Sequence, residues 1–165
     1  GECHHELELA LLIGQPLSEA RAEETLAAIA GYGLALDLTL RELQSQLKEK
    51  GQPWERAKAF DGACPVSAFV PAAAIGDWKA LRLQLQRNGA LQQDGQCRDM
   101  LVPIEALLAD ISQSFTLLPG DIVLTGTPAG VGDGMDPPQY LRPGDVVRIG
   151  VEGLGEQRQV VAPPR

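Results

Sequence analysis

Residues 6–13 read Glu-Leu-Glu-Leu-Ala-Leu-Leu-Ile, and their pattern decides the fold. Polar and apolar positions alternate through Leu9 and then give way to an unbroken apolar run. A β-strand with one buried face that continues into a core has this pattern. Gly14-Gln15-Pro16 breaks it. Residues 32–38, Tyr-Gly-Leu-Ala-Leu-Asp-Leu, alternate again and predict a second strand. Between the two, Ser18 is read as the cap of a helix over about residues 19–30, rich in Ala and Glu and closed by Gly31.

Downstream, Thr39-Leu40-Arg41-Glu42 reads as a capping box, with Thr39 at N-cap and Glu42 at N3. It opens a predicted helix to about Lys50, with Leu40, Leu43 and Leu47 as the apolar stripe. Gly51 and Pro53 stop it. Residues 54–80 are expected to be mostly irregular, with a short apolar run at Val66–Val70. Residues 81–86 alternate with period two, and Asn88-Gly89 is a strong hairpin signal, with a return strand from about Leu91. A helix is predicted near 104–114, after Pro103. Pro119-Gly120-Asp121 turns the chain into Ile122-Val123-Leu124-Thr125-Gly126, and a Gly-rich loop follows over 126–136. A second Pro-Gly-Asp turn at 143–145 leads into Val146–Val151, and a final strand lies near 156–161. The flanks of the two turns differ, so they are similar turns and not a repeat. The fold class expected is α+β, rich in strands.

The 165 residues fit one domain spanning 1–165. A formal net charge of -8 with scattered basic residues excludes the basic footprint of a nucleic-acid binder. Cys3, Cys64 and Cys97 form no CxxC motif, which argues for free thiols in a reducing cytoplasm. No apolar run approaches the roughly 20 residues needed to cross a bilayer, and no secretory signal is visible. The expectation is a cytoplasmic protein without membrane contact. The chain opens without Met and enters a strand pattern almost at once, so an N-terminal segment is expected to be missing upstream.

Glu6 and Glu8 are two apart on a strand and share one face with Ala10 and Leu12. Two carboxylates about 5 Å apart at an effective dielectric near 20 repel by roughly 3 kcal/mol. Either that face stays in water or a cation relieves the repulsion, and an oxygen-only donor set suits a hard ion such as Mg²⁺, Mn²⁺ or Ca²⁺. Asp37 lies in an apolar strand beside Ala35, on the opposite face from Leu34, Leu36 and Leu38, and needs a partner. Spacing alone leaves a cap or a salt bridge open for it.

These residues match a known family in order along nearly the whole chain. His5-Glu6-Leu7-Glu8 resembles the HxExE-type metal strand of the fumarylacetoacetate hydrolase family. Asp37-Leu38-Thr39-Leu40-Arg41 resembles its D-x-T-x-R segment. Gly51-Gln52-Pro53-Trp54 with Ala57-Lys58-Ala59-Phe60-Asp61 resembles its G-x-P-W…AK-x-F-D segment, continued by Cys64-Pro65-Val66-Ser67. Gly120-Asp121-Ile122-Val123-Leu124-Thr125-Gly126-Thr127-Pro128 with Gly130-Val131-Gly132 resembles its signature loop. Within the family the resemblance is nearest to the acylpyruvase and oxaloacetate decarboxylase branch.

The resemblance implies a mixed β-roll, a homodimer and one divalent ion, Mg²⁺ with Mn²⁺ or Ca²⁺ as alternatives. It implies Glu6, Glu8 and Asp37 as metal ligands, Lys58 as the active-site lysine, and Arg41 and Gln44 facing the substrate or supporting the site. Thr127 is implied in contact with a substrate carboxylate, in the loop Thr125-Gly126-Thr127 whose hydroxyls and N–H groups suit an anion. The implied substrate is a small 2-oxo acid and the implied chemistry passes through an enolate. The implied activity is Mg²⁺-dependent hydrolytic or decarboxylative C–C cleavage of that acid, with keto–enol tautomerisation and a non-catalytic metal-binding module as the alternatives. Family members carry a His/Glu general-base pair upstream of the metal strand, a region this sequence does not include. The resemblance gives His4 and His5 no role as base, and a structural role is expected for both.

Overall fold

The computed structural model describes residues 2–163. In chain order its elements are β1 (Cys3–His4), β2 (Leu7–Ile13), α1 (Ala22–Thr25), β3 (Ile29–Leu36), β4 (Thr39–Leu40), α2 (Arg41–Glu49), β5 (Val70–Pro71), β6 (Arg82–Arg87), β7 (Ala90–Gln96), α3 (Ile104–Ser114), β8 (Ile122–Leu124), β9 (Val146–Val151) and β10 (Gly155–Val160). Short 3₁₀ turns punctuate the connections.

Two four-stranded sheets, ordered β5-β3-β2-β8 and β10-β9-β6-β7, carry the fold, and a two-stranded ribbon joins β1 to β4. Every strand pairing among the described residues is antiparallel. The two sheets share one core. Leu7, Leu9, Leu11 and Ile13 of β2 and Leu34 and Leu36 of β3 belong to the same buried cluster as Leu83, Leu85, Val147 and Ile149 of the other sheet. Period-two alternation is what lets each strand give a whole row of side chains to that core. The helix α3 adds Ile104 and Leu108, both fully buried.

The α+β architecture is the one expected, and so are the two long strands, the hairpin and α3. At the hairpin, Asn88 and Gly89 both take positive φ, 52° and 85°, which suits a tight two-residue turn. Two local expectations are corrected. The helix expected over 19–30 shrinks to the four residues of α1 and one 3₁₀ turn at Leu26–Ala28, because residues from Ile29 onward join the sheet against β2. Strand pairing with an already apolar neighbour outweighs the local helix preference of this Ala-rich stretch. The capping box at Thr39 is also absent. The helix α2 starts at Arg41 with Leu40 in the cap position and no side-chain cap bond. The Thr39 hydroxyl is instead drawn to Glu6.

Candidate functional site: a carboxylate cluster at the end of two strands

The register of β2 against β3 builds the site. Leu7 pairs with Leu36 and Glu8 with Ala35. One step further along the same register, Glu6 lies opposite Asp37, where the Asp37 amide donates to the Glu6 carbonyl at 2.8 Å. Directly opposed residues on antiparallel strands point to the same face. Glu6, Glu8 and Asp37 therefore share one face, with small Ala35 leaving room across from Glu8. Ligand oxygens of the three lie within 4.8 Å of one another.

Each carboxylate is held differently. Glu6 Oε1 accepts from His4 Nε2 at 2.8 Å and from the Thr39 hydroxyl at 3.1 Å. Its Oε2 accepts from Lys58 Nζ at 2.8 Å. Asp37 Oδ2 accepts from the same Nζ at 2.6 Å. Glu8 Oε2 accepts the Gly126 amide at 2.6 Å. Lys58 follows a 3₁₀ turn at Glu55–Ala57 that is anchored by fully buried Ala57. Its ammonium bridges two carboxylates, and the side chain is only partly exposed.

Burial would raise the Glu6 carboxyl, yet the hydrogen bonds from His4 and Lys58 overturn that and bring it to about 2. Burial raises Glu8 to about 7, opposed by the Gly126 amide and reinforced by the charges of Asp37 and Glu6. Lys58 is raised: burial works against its charge, and the bonds to Asp37 and Glu6 outweigh it. Asp37 is raised as well, although it is paired with that lysine. Burial opposes the charge of both partners, but the Glu6 carboxylate disfavours ionised Asp37 while it favours the charged lysine.

With all three carboxylates ionised and Lys58 charged, the cluster carries two uncompensated negative charges. A divalent cation would neutralise them, and the all-oxygen donor set suits a hard ion.

Around the cluster, Arg41 Nε donates to Asp133 Oδ2 at 3.0 Å, and its Nη1 donates to Gln44 Oε1 at 2.8 Å. Tyr140 donates to Asp133 Oδ1 at 3.0 Å. Thr127 Oγ1 accepts from Gln93 Nε2 at 2.7 Å, which leaves its own hydroxyl proton available. The Thr125 hydroxyl is spent on the Leu9 carbonyl at 3.0 Å, and the Gly126 amide on Glu8. A cavity of about 500 Å³ opens beside Gly126 and Thr127, walled by Leu83, Cys97, Met100, Leu107 and Pro128. Fully buried His5 places Nε2 3.3 Å from the Gly130 carbonyl, and burial pushes its imidazole down to about 4.

Sequence reasoning missed Gln93 and Asp133. Gln93 is fully buried and also accepts from the Leu7 amide at 3.0 Å and donates to the Pro128 carbonyl at 2.8 Å. It thus ties β2 to the 125–129 loop. Its place on the inner face of β7, in an otherwise polar stretch, carries no signal. Buried Gln93 and exposed Gln96 look alike along the chain until the sheets pack.

Comparison with known proteins agrees with this architecture. The chain is 50% identical over 154 residues to oxaloacetate tautomerase YcgM of Escherichia coli, covering 93% of this chain and 67% of that protein. It is 40% identical over 151 residues to a mitochondrial oxaloacetate tautomerase of Homo sapiens, covering 92% of this chain and 65% of that one. It therefore spans about two thirds of the length of these relatives. Among solved structures, fumarylpyruvate hydrolase from Pseudomonas aeruginosa in complex with Mn²⁺ and pyruvate superposes with a TM-score of 0.91 at 32% identity, covering 98% of this chain and 66% of that one. Residues 1–162 match the fumarylacetoacetate (FAA) hydrolase C-terminal model, and the chain belongs to the fumarylacetoacetate hydrolase family.

Proposed function

We propose that the protein is a divalent-metal-dependent tautomerase of a small 2-oxo acid such as oxaloacetate, with Glu6, Glu8 and Asp37 as the metal ligands. The observation that carries the metal reading is the gathering of these three carboxylates within 4.8 Å around a single lysine. Mg²⁺ and Mn²⁺ both suit the donor set, and a solved relative binds Mn²⁺ together with pyruvate. The tautomerase reading is supported by the bacterial and human relatives named for that activity.

When bound, the cation polarises a carbonyl and stabilises negative charge that develops on its oxygen. The chain's own residues bind and orient the substrate around it. Lys58 has three N–H donors and spends two on Glu6 and Asp37, so one remains for a substrate oxygen as charge builds there. The Thr127 hydroxyl, oriented by Gln93, donates to the substrate carboxylate. Arg41 holds both buried Gln44 and Asp133, and so ties α2 to the turn at residues 132–134. Thr125 and Gly126 act through the backbone, by fixing the loop that carries Thr127 against Glu8 and Leu9.

Hydrolytic or decarboxylative C–C cleavage is the second reading, favoured by the likeness to fumarylpyruvate hydrolase. One experiment separates the two. Conversion of enol to keto oxaloacetate is followed by ultraviolet absorbance alongside pyruvate release from oxaloacetate and acetylpyruvate, with Mg²⁺ and with EDTA. Metal-dependent loss of the enol band without pyruvate is expected. Metal-dependent pyruvate at a comparable rate would replace tautomerisation by cleavage, and activity unchanged by EDTA would overturn the metal reading.

A further inference from the structure

His4 is fully buried on β1, directly across from Thr39 on β4. The two cross-strand partners converge on one atom, Glu6 Oε1, at 2.8 and 3.1 Å. The other imidazole nitrogen, Nδ1, faces the Asp133 amide at 3.3 Å. A backbone N–H only donates, so Nδ1 accepts and the ring proton sits on Nε2, aimed at Glu6. A ring with its proton on Nδ1 would set two donors against each other at Asp133 and two lone pairs against each other at Glu6.

The Asp133 amide is itself fixed. Its side chain is gripped by Arg41 and Tyr140 at 3.0 Å each. The loop that carries it is tied down by the Gln139 amide on the Gly132 carbonyl at 2.8 Å and by the Leu141 amide on the Cys3 carbonyl at 2.7 Å. At Gly132 a Cβ would collide with the Gln139 carbonyl and lie 3.3 Å from His4 Cβ, so glycine lets the loop close over the imidazole.

We propose that His4 is a positioning residue for the cation site: the Asp133 amide selects its Nε2–H tautomer, and that tautomer holds the Glu6 carboxylate in the orientation that receives the metal. The inference rests on the metal reading of Glu6, Glu8 and Asp37 and extends it to residues outside the ligand set. It follows the general behaviour of outer partners that orient ligands, whose loss costs roughly 10- to 100-fold in metal affinity.

Two substitutions divide the imidazole's two tasks. The amide nitrogen of His4→Gln reaches the place of Nε2 and still donates to Glu6. His4→Asn stops at the place of Nδ1, keeps the Asp133 contact and loses Glu6. Mn²⁺ affinity, measured by calorimetry, is expected to fall roughly 10- to 100-fold in His4→Asn and to stay within about threefold of the native protein in His4→Gln. Equal losses in both variants, or none in His4→Asn, would overturn the proposal. On the native protein, nitrogen-15 spectra of the histidine ring are expected to report the Nε2–H tautomer, and an Nδ1–H pattern would overturn it without any variant. Failure of the native protein to bind Mn²⁺ would instead sink the metal reading itself, which keeps the two failures apart.

Discussion

Lys58 Nζ lies 2.6 Å from Asp37 Oδ2, and the same ammonium reaches Glu6 Oε2 at 2.8 Å. One cation of the chain thus bridges two of three clustered carboxylates and leaves Glu8, the third, to a backbone amide. Loss of Lys58 and loss of Glu8 therefore have different consequences.

Lys58→Met removes the bridging charge and keeps the aliphatic stem. Metal-free protein is expected to melt at lower temperature, because Glu6 and Asp37 then face each other without a counter-charge. Added Mg²⁺ is expected to restore more stability than it adds to the native protein. Turnover is expected to fall on the order of 100-fold, the usual loss when one donor to developing negative charge is removed. Scanning calorimetry with and without metal, beside steady-state kinetics, checks both. A lysine that merely lies along the surface would give unchanged melting and turnover.

Glu8→Gln keeps an oxygen for the Gly126 amide and removes one ligand charge. The rise in melting temperature on adding Mg²⁺ is expected to disappear. A native-sized metal response in this variant would show that Glu8 is not a ligand.

The pH dependence of metal-free stability has a definite sign. Glu8 titrates near 4.5 in the open chain and at about 7 when folded. Its contribution is complete below 4.5 and is lost as pH rises through about 7. Glu6, brought down to about 2, acts in a lower window, since its contribution is lost only as pH falls through that value. His5 opposes Glu8, because its folded value of about 4 lies below its ordinary 6.5, so its contribution is lost as pH falls toward 4. The Glu8 effect is therefore isolated by difference. Metal-free Glu8→Gln is expected to gain on the native protein from about pH 5 and to level off above about pH 7, in denaturant titrations at each pH. A constant difference across that range would contradict the raised Glu8 carboxyl.

Gln93→Leu removes three hydrogen bonds at once and leaves the buried Leu7 amide without its acceptor. A loss of about 1–3 kcal/mol is expected in urea unfolding, the cost of a buried donor left unpaired. Thr127 also loses the amide that orients its hydroxyl, so KM for the 2-oxo acid is expected to rise more than kcat falls. An unchanged KM would remove Thr127 from the substrate contacts.

Gly95→Ala would place its Cβ 2.6 Å from Pro128 Cβ. Because the Pro128 ring cannot swing aside, backbone must move, and where the 125–129 loop gives way the same rise in KM is expected from a residue that carries no chemistry. Unaltered kinetics would show that β7 gives way instead.

Much of this protein is legible in its sequence. Alternation locates the strands around Glu6–Ile13 and residues 32–38, Asn88-Gly89 marks the hairpin, and Pro103 marks the start of α3, because these signals depend on neighbours within a few residues. Glu6 and Glu8 stand out as a same-face pair for the same reason. The helix expected over 19–30 fails where Ile29–Leu36 finds a better partner in β2, and the cap expected at Thr39 fails where its hydroxyl finds Glu6. Both errors arise where a distant group outbids a local one.

Periodicity and donor chemistry are local properties, so the strand-rich class, the turns and the residue types that suit a hard cation follow from the order of residues alone. The placement of Asp37 opposite Glu6, the bridge that Lys58 makes between them, and the support from His4, Gln93 and Asp133 all depend on the folded chain. Register, and the packing of one sheet on another, arise from the summed burial of many side chains, and no short stretch of chain contains that sum.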